Sequence, residues 1–282
     1  MNNIIFKDLI DLGLTTENTH KVFSENTRDK VGLKVYRDEI SGVIFIKDFY
    51  IGSEHYENDK KESVFFYERK IDNDRRVNNL KQFYIDKNIL DFGCEYGDFL
   101  KSTKDLVRTS IGIELTIGLV KQIRKMGIRA EQDLNLVEDN SIDTIFCFHC
   151  LEHIENQREI LKLIYKKLKF GGKIILEVPH ANDFLLHNSK KFMRFSLWSE
   201  HLILHTHQSL KLFLEDTSFG DIYINGIQRF PLSNHLQWLT KGERGGHKSN
   251  FSMVITNDLD HEYCNSIISA NMSDTLMAIA SK

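Results

Sequence analysis

The sequence predicts an α/β fold built on a seven-stranded, mostly parallel sheet with helices on both faces, carrying an N-terminal lobe and a C-terminal insertion. Three observations predict it. From Asn88 onward, short apolar segments alternate with helix-like ones, which implies a parallel sheet wound by crossover helices. The first apolar segment runs through Ile89-Leu90-Asp91-Phe92 into Gly93-Cys94-Glu95-Tyr96-Gly97, the order that makes a strand, a tight turn and a helix N-terminus. Acids and histidines then follow the ends of the later apolar segments, on the carboxyl edge where open α/β sheets bind ligands.

Residues 1–85 read as the N-terminal lobe. Leu33 to Tyr36 and Val43 to Ile46 flank a polar turn and predict a hairpin. Lys61 to Phe83 is charged, with apolar residues at near-helical spacing, and reads as a solvated amphipathic helix. Its Tyr67, Arg69, Arg75 and Arg76, with Tyr50 and Tyr56 upstream, offer a second reading as a lid.

The main domain spans residues 86–257. Asn88 to Phe92, Thr109 to Glu114, Ile128 to Gln132, Thr144 to Phe148 and Lys173 to Val178 are predicted strands. Phe99 to Leu106, Ile117 to Met126 and Gln157 to Phe170 are the helices between them, the last ended by Gly171-Gly172 as a C-cap. Thr206 caps a further helix through Glu215, and Asp221 to Phe230 and Phe251 to Asn257 read as the sixth and seventh strands. Residues 231–250 form an insertion on the acceptor side, and residues 258–282 read as a helical tail.

Composition narrows the class. The chain has 282 residues, 41% of them hydrophobic, with a formal net charge of -3, so no global basic field exists to attract nucleic acid. The N-terminus lacks the basic-then-apolar order of a signal peptide, and no apolar run approaches the roughly 20 residues that span a bilayer. Cys94, Cys147, Cys150 and Cys264 suggest no disulfide framework. The expectation is a cytoplasmic protein without a membrane partner.

The chemistry-bearing residues come in order. Gly93 and Gly97 let a ligand approach the backbone. Glu114 lies about twenty residues after Gly93, where an acid can accept hydrogen bonds from ribose hydroxyls. Asp133-Leu134 ends the third strand, and the fourth leads into His149-Cys150-Leu151-Glu152-His153. A nicotinamide dinucleotide fold would want Gly-x-Gly-x-x-Gly, and this turn offers only two glycines, four apart.

The ordered set Asp91-Phe92-Gly93-Cys94-Glu95-Tyr96-Gly97, Glu114, Asp133-Leu134, Ile142-Asp143-Thr144-Ile145 and Leu151-Glu152-His153 resembles class I S-adenosylmethionine-dependent methyltransferases. The likeness is to the group that includes ubiquinone-biosynthesis and small-molecule or glycan methyltransferases, over Asn88 to His180. It implies a Rossmann-like fold, S-adenosylmethionine as cofactor, and cofactor contacts from Asp91, Gly93, Cys94, Gly97, Glu114, Leu115, Asp133, Leu134 and His149. Glu95 departs from the family pattern, where a glycine is usual.

Methyl transfer from a sulfonium needs alignment and removal of the acceptor's proton. Nine of the 12 histidines fall between His149 and His247. His149 and His180 are the candidate catalytic bases by position, while Glu152 and His153 shape the turn that follows the fourth strand. Acceptor contacts are expected from His180, His201, Arg229, His235 and His247. No metal is expected. Cys147-Phe148-His149-Cys150 lacks a second ligand pair, and His201 to His207 reads as a polar pocket wall ending in a helix cap. The expected reaction is O-methylation of a sugar, sugar phosphate or similar polar metabolite, with a possible homodimer. The alternatives are a ubiquinone-type phenol, a small amine, a macromolecular substrate, or cofactor binding without catalysis.

Overall fold

The computed structural model describes residues 4–47 and 66–282, so Tyr50 and Tyr56 of the lid reading lie outside the described residues. The main sheet comprises β4 (Asn88–Phe92), β5 (Thr109–Ile113), β6 (Arg129–Glu131), β7 (Ile142–Phe148), β8 (Leu168–Pro179), β10 (Gly220–Ile227) and β11 (Thr275–Ser281). Their spatial order is β10-β11-β8-β7-β4-β5-β6. β4 to β8 run parallel, and the winding goes outward from β4 to β6 and then returns to β7 on the other side of β4, which makes the carboxyl ends of β4 and β7 the switch point where such sheets bind ligands.

Side chains alternate across the sheet, as a strand dictates. Leu90, Ile145, Cys147, Ile174 and Leu176 pack on one face, against α6 (Gln157–Lys167) and α9 (His207–Asp216). Ile89, Phe146, Phe148 and Ile175 pack on the other, against α3 (Lys81–Tyr84), α4 (Asp98–Thr103) and α5 (Ile117–Lys125). The predicted hairpin is present as β2 (Val35–Asp38) and β3 (Ile44–Phe45), extended by β1 (His20–Ser24) and by β9 (Ile203–Leu204) from far along the chain. Ile5, Phe6 and Leu9 of α1 (Ile4–Asp11) sit in the core of the main sheet.

Three expectations are corrected. The seventh strand is β11, inserted antiparallel between β8 and β10, and not Phe251 to Asn257. Both stretches are apolar, but Met253 and Val254 stand 84% and 74% exposed in a short helix, α11 (Phe251–Val254), whereas Leu276, Ala278 and Ala280 are buried. The tail is therefore helical only through α12 (Asn257–Ser269) before it becomes a strand. Finally, Gly171-Gly172 does not cap α6, which ends at Lys167. The two glycines fall within β8, where the pairing with β7 skips from Leu168 to Lys173. A Cβ on Gly172 would lie 2.9 Å from the Lys169 carbonyl oxygen, so the bulge needs glycine.

β10 is antiparallel to β11, and β11 to β8, so β10 runs parallel to the first five strands. Its carboxyl end, with Arg229 just beyond, therefore faces the ligand edge. The insertion that follows folds as α10 (Leu232–Thr240) and buries Trp238 between Phe192 and Phe195. Among the described residues no helix is long and apolar enough to cross a membrane.

Candidate active site

A cavity of about 1260 Å³ opens along the carboxyl edge of the main sheet. Its first half is built on the turn after β4. Gly93 adopts φ 76°, and a Cβ there would sit 2.3 Å from Cys150 Sγ, so only glycine permits the two turns to touch. Gly97 takes φ 71° and opens α4. Glu95 holds the left-handed conformation at φ 49° without being glycine, with its N–H donating to Glu114 Oε2 at 3.1 Å. The Thr116 N–H donates to the other Glu114 oxygen at 2.8 Å, so the carboxylate is fixed at the end of β5. Asp133 accepts from the Asn135 N–H at 2.8 Å and caps the short turn that carries buried Leu134.

Of the residues expected at the cofactor, Gly93, Glu114, Leu115, Asp133, Leu134 and His149 line the cavity. Asp91, Cys94 and Gly97 do not; they lie buried behind the turn, where burial pushes the Asp91 carboxyl up to about 7.

Helix α2 (Phe66–Asn79) is no solvated helix. Arg75 and Arg76 donate four hydrogen bonds of 2.7–2.9 Å to the fully buried carboxylate of Glu177 near the end of β8. Asp72 pairs with Arg75 and with Arg229, and Arg69 donates to Asp98 and lies 4.0 Å over the Tyr96 ring. Burial alone would raise the Glu177 pKa, but Arg76 and Arg75 outweigh it and hold it low. Asp72 is pulled down to about 2, since Arg229, Arg76 and Arg75 overcome burial. The clasp escaped the sequence reading, although an acid inside the apolar run Ile174-Ile175-Leu176-Glu177-Val178 was a signal.

His149 also stands at φ 49°, its N–H donating to the Glu177 carbonyl at 2.8 Å. A guanidinium can only donate, so the 2.9 Å contact from Arg229 Nη1 makes His149 Nε2 the acceptor and assigns the proton to Nδ1, 3.4 Å from Glu152 Oε1. Burial and the charges of Arg229, Arg76 and Arg75 hold the imidazole well below its usual pKa. Its lone pair is thus committed, which argues against the expected role as base.

The second half of the cavity is lined by His180, His201 and Arg229, three of the five residues named for the acceptor in the sequence analysis, together with Glu152, His153, Asp183, Glu200 and Asp274. His180 Nδ1 lies 3.0 Å from the Ser273 carbonyl, leaving the buried Nε2 without a partner among the described residues; burial lowers its pKa to about 3. His235 and His247 fall outside the lining. Both ring nitrogens of His235 are spent, on the Tyr263 hydroxyl at 2.7 Å and Gln228 Nε2 at 3.0 Å. The buried ring of His205 contacts Gln157 and Ser209, and Thr206 caps α9 as expected. An acid does reach His201: Glu152, His153 and His201 each offer a ligand atom within 4.8 Å of the others.

Asp183 and Asp274 are the acids that no motif announced. Asp183 is pushed up to about 7 by burial and by the neighbouring Asp274, while it caps α7 (Phe184–Asn188) through the Leu185 N–H at 2.7 Å. Its folded pKa exceeds the unfolded value, so its proton stabilises the fold at low pH, and stability falls as pH rises from about 4 to about 7. Asp183→Asn keeps the capping acceptor and cannot ionise. It is expected to raise the unfolding free energy at pH 8 by on the order of 4 kcal/mol and to change it little at pH 4. Thermal unfolding across that pH range checks this, and equal effects at both pH values would refute it.

Residues 66–223, more than half of the chain, match the family described as "Methyltransferase domain". The chain belongs to that family. An uncharacterised protein of Methanocaldococcus jannaschii is 28% identical over 159 residues, 56% of this chain and 64% of that relative. A ubiquinone biosynthesis O-methyltransferase of Xanthomonas euvesicatoria is 32% identical over 98 residues, 31% of this chain and 41% of its own length. The chain thus spans less than two thirds of either curated relative. A solved SAM-dependent methyltransferase from Archaeoglobus fulgidus shares the fold with a TM-score of 0.54 at 21% identity, over 76% of this chain and 94% of that one. S-adenosylmethionine is the cofactor of this enzyme class, and the turn at Gly93, open to close backbone approach beside a fixed acid at Glu114, fits it.

Proposed function

We propose that the enzyme methylates a hydroxyl of a small polyhydroxylated acceptor, with the donor in the glycine-turn half of the cavity and the acceptor in the histidine-rich half. The observation that carries this is the wall chemistry of the second half. Glu152, Asp183, Glu200 and Asp274 line it with carboxyl groups, and His180 Nε2 adds a buried acceptor. Among the described residues, each arginine of the cavity pairs with a carboxylate, Arg69 with Asp98, Arg76 with Glu177 and Arg229 with Asp72, and Arg69 keeps one donor, Nη1, unused. Such a wall suits ligands that donate hydrogen bonds, as sugars and other polyols do, and sets carboxyl groups where a phosphate would meet like charge. The phosphorylated acceptors expected from sequence are accordingly disfavoured. The net charge of -3 likewise disfavours a nucleic-acid substrate.

When bound, S-adenosylmethionine supplies a sulfonium methyl group. Glu114 would hold the ribose, because each fixed oxygen keeps a lone pair for a hydroxyl. Asp133 would take the adenine amine and Leu134 its ring. The clasp of Arg75 and Arg76 on Glu177 keeps α2 over the cavity and excludes water. His180 would accept a hydrogen bond from an acceptor hydroxyl and so orient it.

The same carboxyl wall favours a second reading, a small amine. Uptake of labelled methyl groups across free sugars, sugar phosphates and amines separates the readings. Free polyols are expected to be methylated most, and His180→Phe to raise the acceptor KM about tenfold with unchanged cofactor affinity. Preference for amines or for phosphorylated acceptors would overturn the proposal.

A further inference from the structure

We propose that Glu152, His153 and His201 form a site for a divalent transition-metal ion that binds the acceptor hydroxyl. The three ligand atoms lie within 4.8 Å of one another, so small side-chain rotations bring all of them to the 2.0–2.2 Å reach of one ion. All three residues line the acceptor half of the cavity. Glu152 is 1% exposed, yet its Oε2 has no hydrogen-bond partner among the described residues, a deficit that an ion would remove. Its other oxygen faces His149 Nδ1 at 3.4 Å, and His149 is itself held by Arg229, so the carboxylate is oriented from behind.

The backbone builds the cluster. The 3₁₀ turn Leu151–His153 presents Glu152 and His153 together, and the Leu202 N–H donates to the Glu152 carbonyl at 2.8 Å, which pins His201 beside them. Two imidazoles and one carboxylate suit zinc, manganese, cobalt or nickel better than magnesium or calcium, and three protein ligands leave positions open toward the cavity. The site also answers a need of the reaction. His149 has its lone pair engaged, and a hydroxyl bound to a divalent ion gives up its proton to water far more readily. This role rests on the acceptor reading above; the binding of the ion does not.

The full chain, stripped with a chelator, is titrated with Co²⁺ and Zn²⁺, following cobalt d–d absorption and heat. One equivalent is expected to bind, with affinity reduced at least about 100-fold in His201→Asn and Glu152→Gln, both checked for unchanged secondary structure and melting. Magnesium is expected to bind far more weakly. No uptake of either metal, or uptake unchanged in both variants, would overturn the site. If the ion binds as expected and no polyol is methylated, the site stands and the acceptor reading falls. If polyols are methylated equally fast by the stripped and the loaded enzyme, the proposed role of the ion is overturned.

Discussion

Gly93→Ala is expected to weaken cofactor binding severely and to lower stability. The new Cβ would lie 2.3 Å from Cys150 Sγ and 2.7 Å from Cys150 Cβ, while the backbone stays at φ 76°. Overpacking costs about 1–3 kcal/mol, and holding a non-glycine residue left-handed costs about 1 kcal/mol more. The larger consequence is displacement. Cys150 begins the turn that carries Glu152 and His153, so pushing it away distorts both halves of the cavity. Calorimetric titration with S-adenosylhomocysteine should show at least about a 100-fold loss of affinity, or about 2.7 kcal/mol, because the turn that meets the cofactor is itself displaced. Gly93→Ala/Cys150→Gly removes the steric partner and should recover part of the loss; a double variant no better than the single one would show that contact with Cys150 is not the cause.

Glu177→Gln should cost about 3–5 kcal/mol at pH 7, because it leaves the largely buried Arg76 without its paired carboxylate and Arg75 with Asp72 alone. The pH dependence gives the sign. The folded pKa of Glu177 is held below the unfolded value near 4.5, so its contribution is present above that value and is lost as pH falls through the folded pKa. Urea denaturation of the two proteins should therefore converge in acid. A difference independent of pH would point to lost packing and away from the charged clasp. Because α2 lies over the cavity, the variant should also bind cofactor more weakly.

Much of this was legible in the sequence, and the reason is local. The turn at Gly93, the acid Glu114 and the cap at Asp133 are each fixed by neighbours within a strand and its following turn. Their residue types state their backbone needs directly. Glu95 shows the limit even here, since it holds a left-handed backbone that composition alone would assign to glycine. What escaped depends on distant partners. Glu177 meets Arg75 and Arg76 across about 100 positions, and β9 joins the N-terminal hairpin from residue 203. The seventh strand was misassigned because Phe251 to Asn257 and Thr275–Ser281 are both short and apolar. Only the slot between β8 and β10 distinguishes them, and small residues such as Ala278 and Ala280 fill it. The histidines were the hardest to rank. His205 and His235 look as available as His180 in sequence, and only their hydrogen-bond partners remove them from the cavity.

The central claim is a division of one cavity into a donor half on the glycine turn and an acceptor half under β10. The most direct test is calorimetric titration of the full chain with S-adenosylmethionine, in the wild type, Glu114→Ala and His180→Phe. One equivalent should bind the wild type, with affinity at least about tenfold weaker in Glu114→Ala and unchanged in His180→Phe. No binding to the wild type, or a loss in His180→Phe with none in Glu114→Ala, would contradict it.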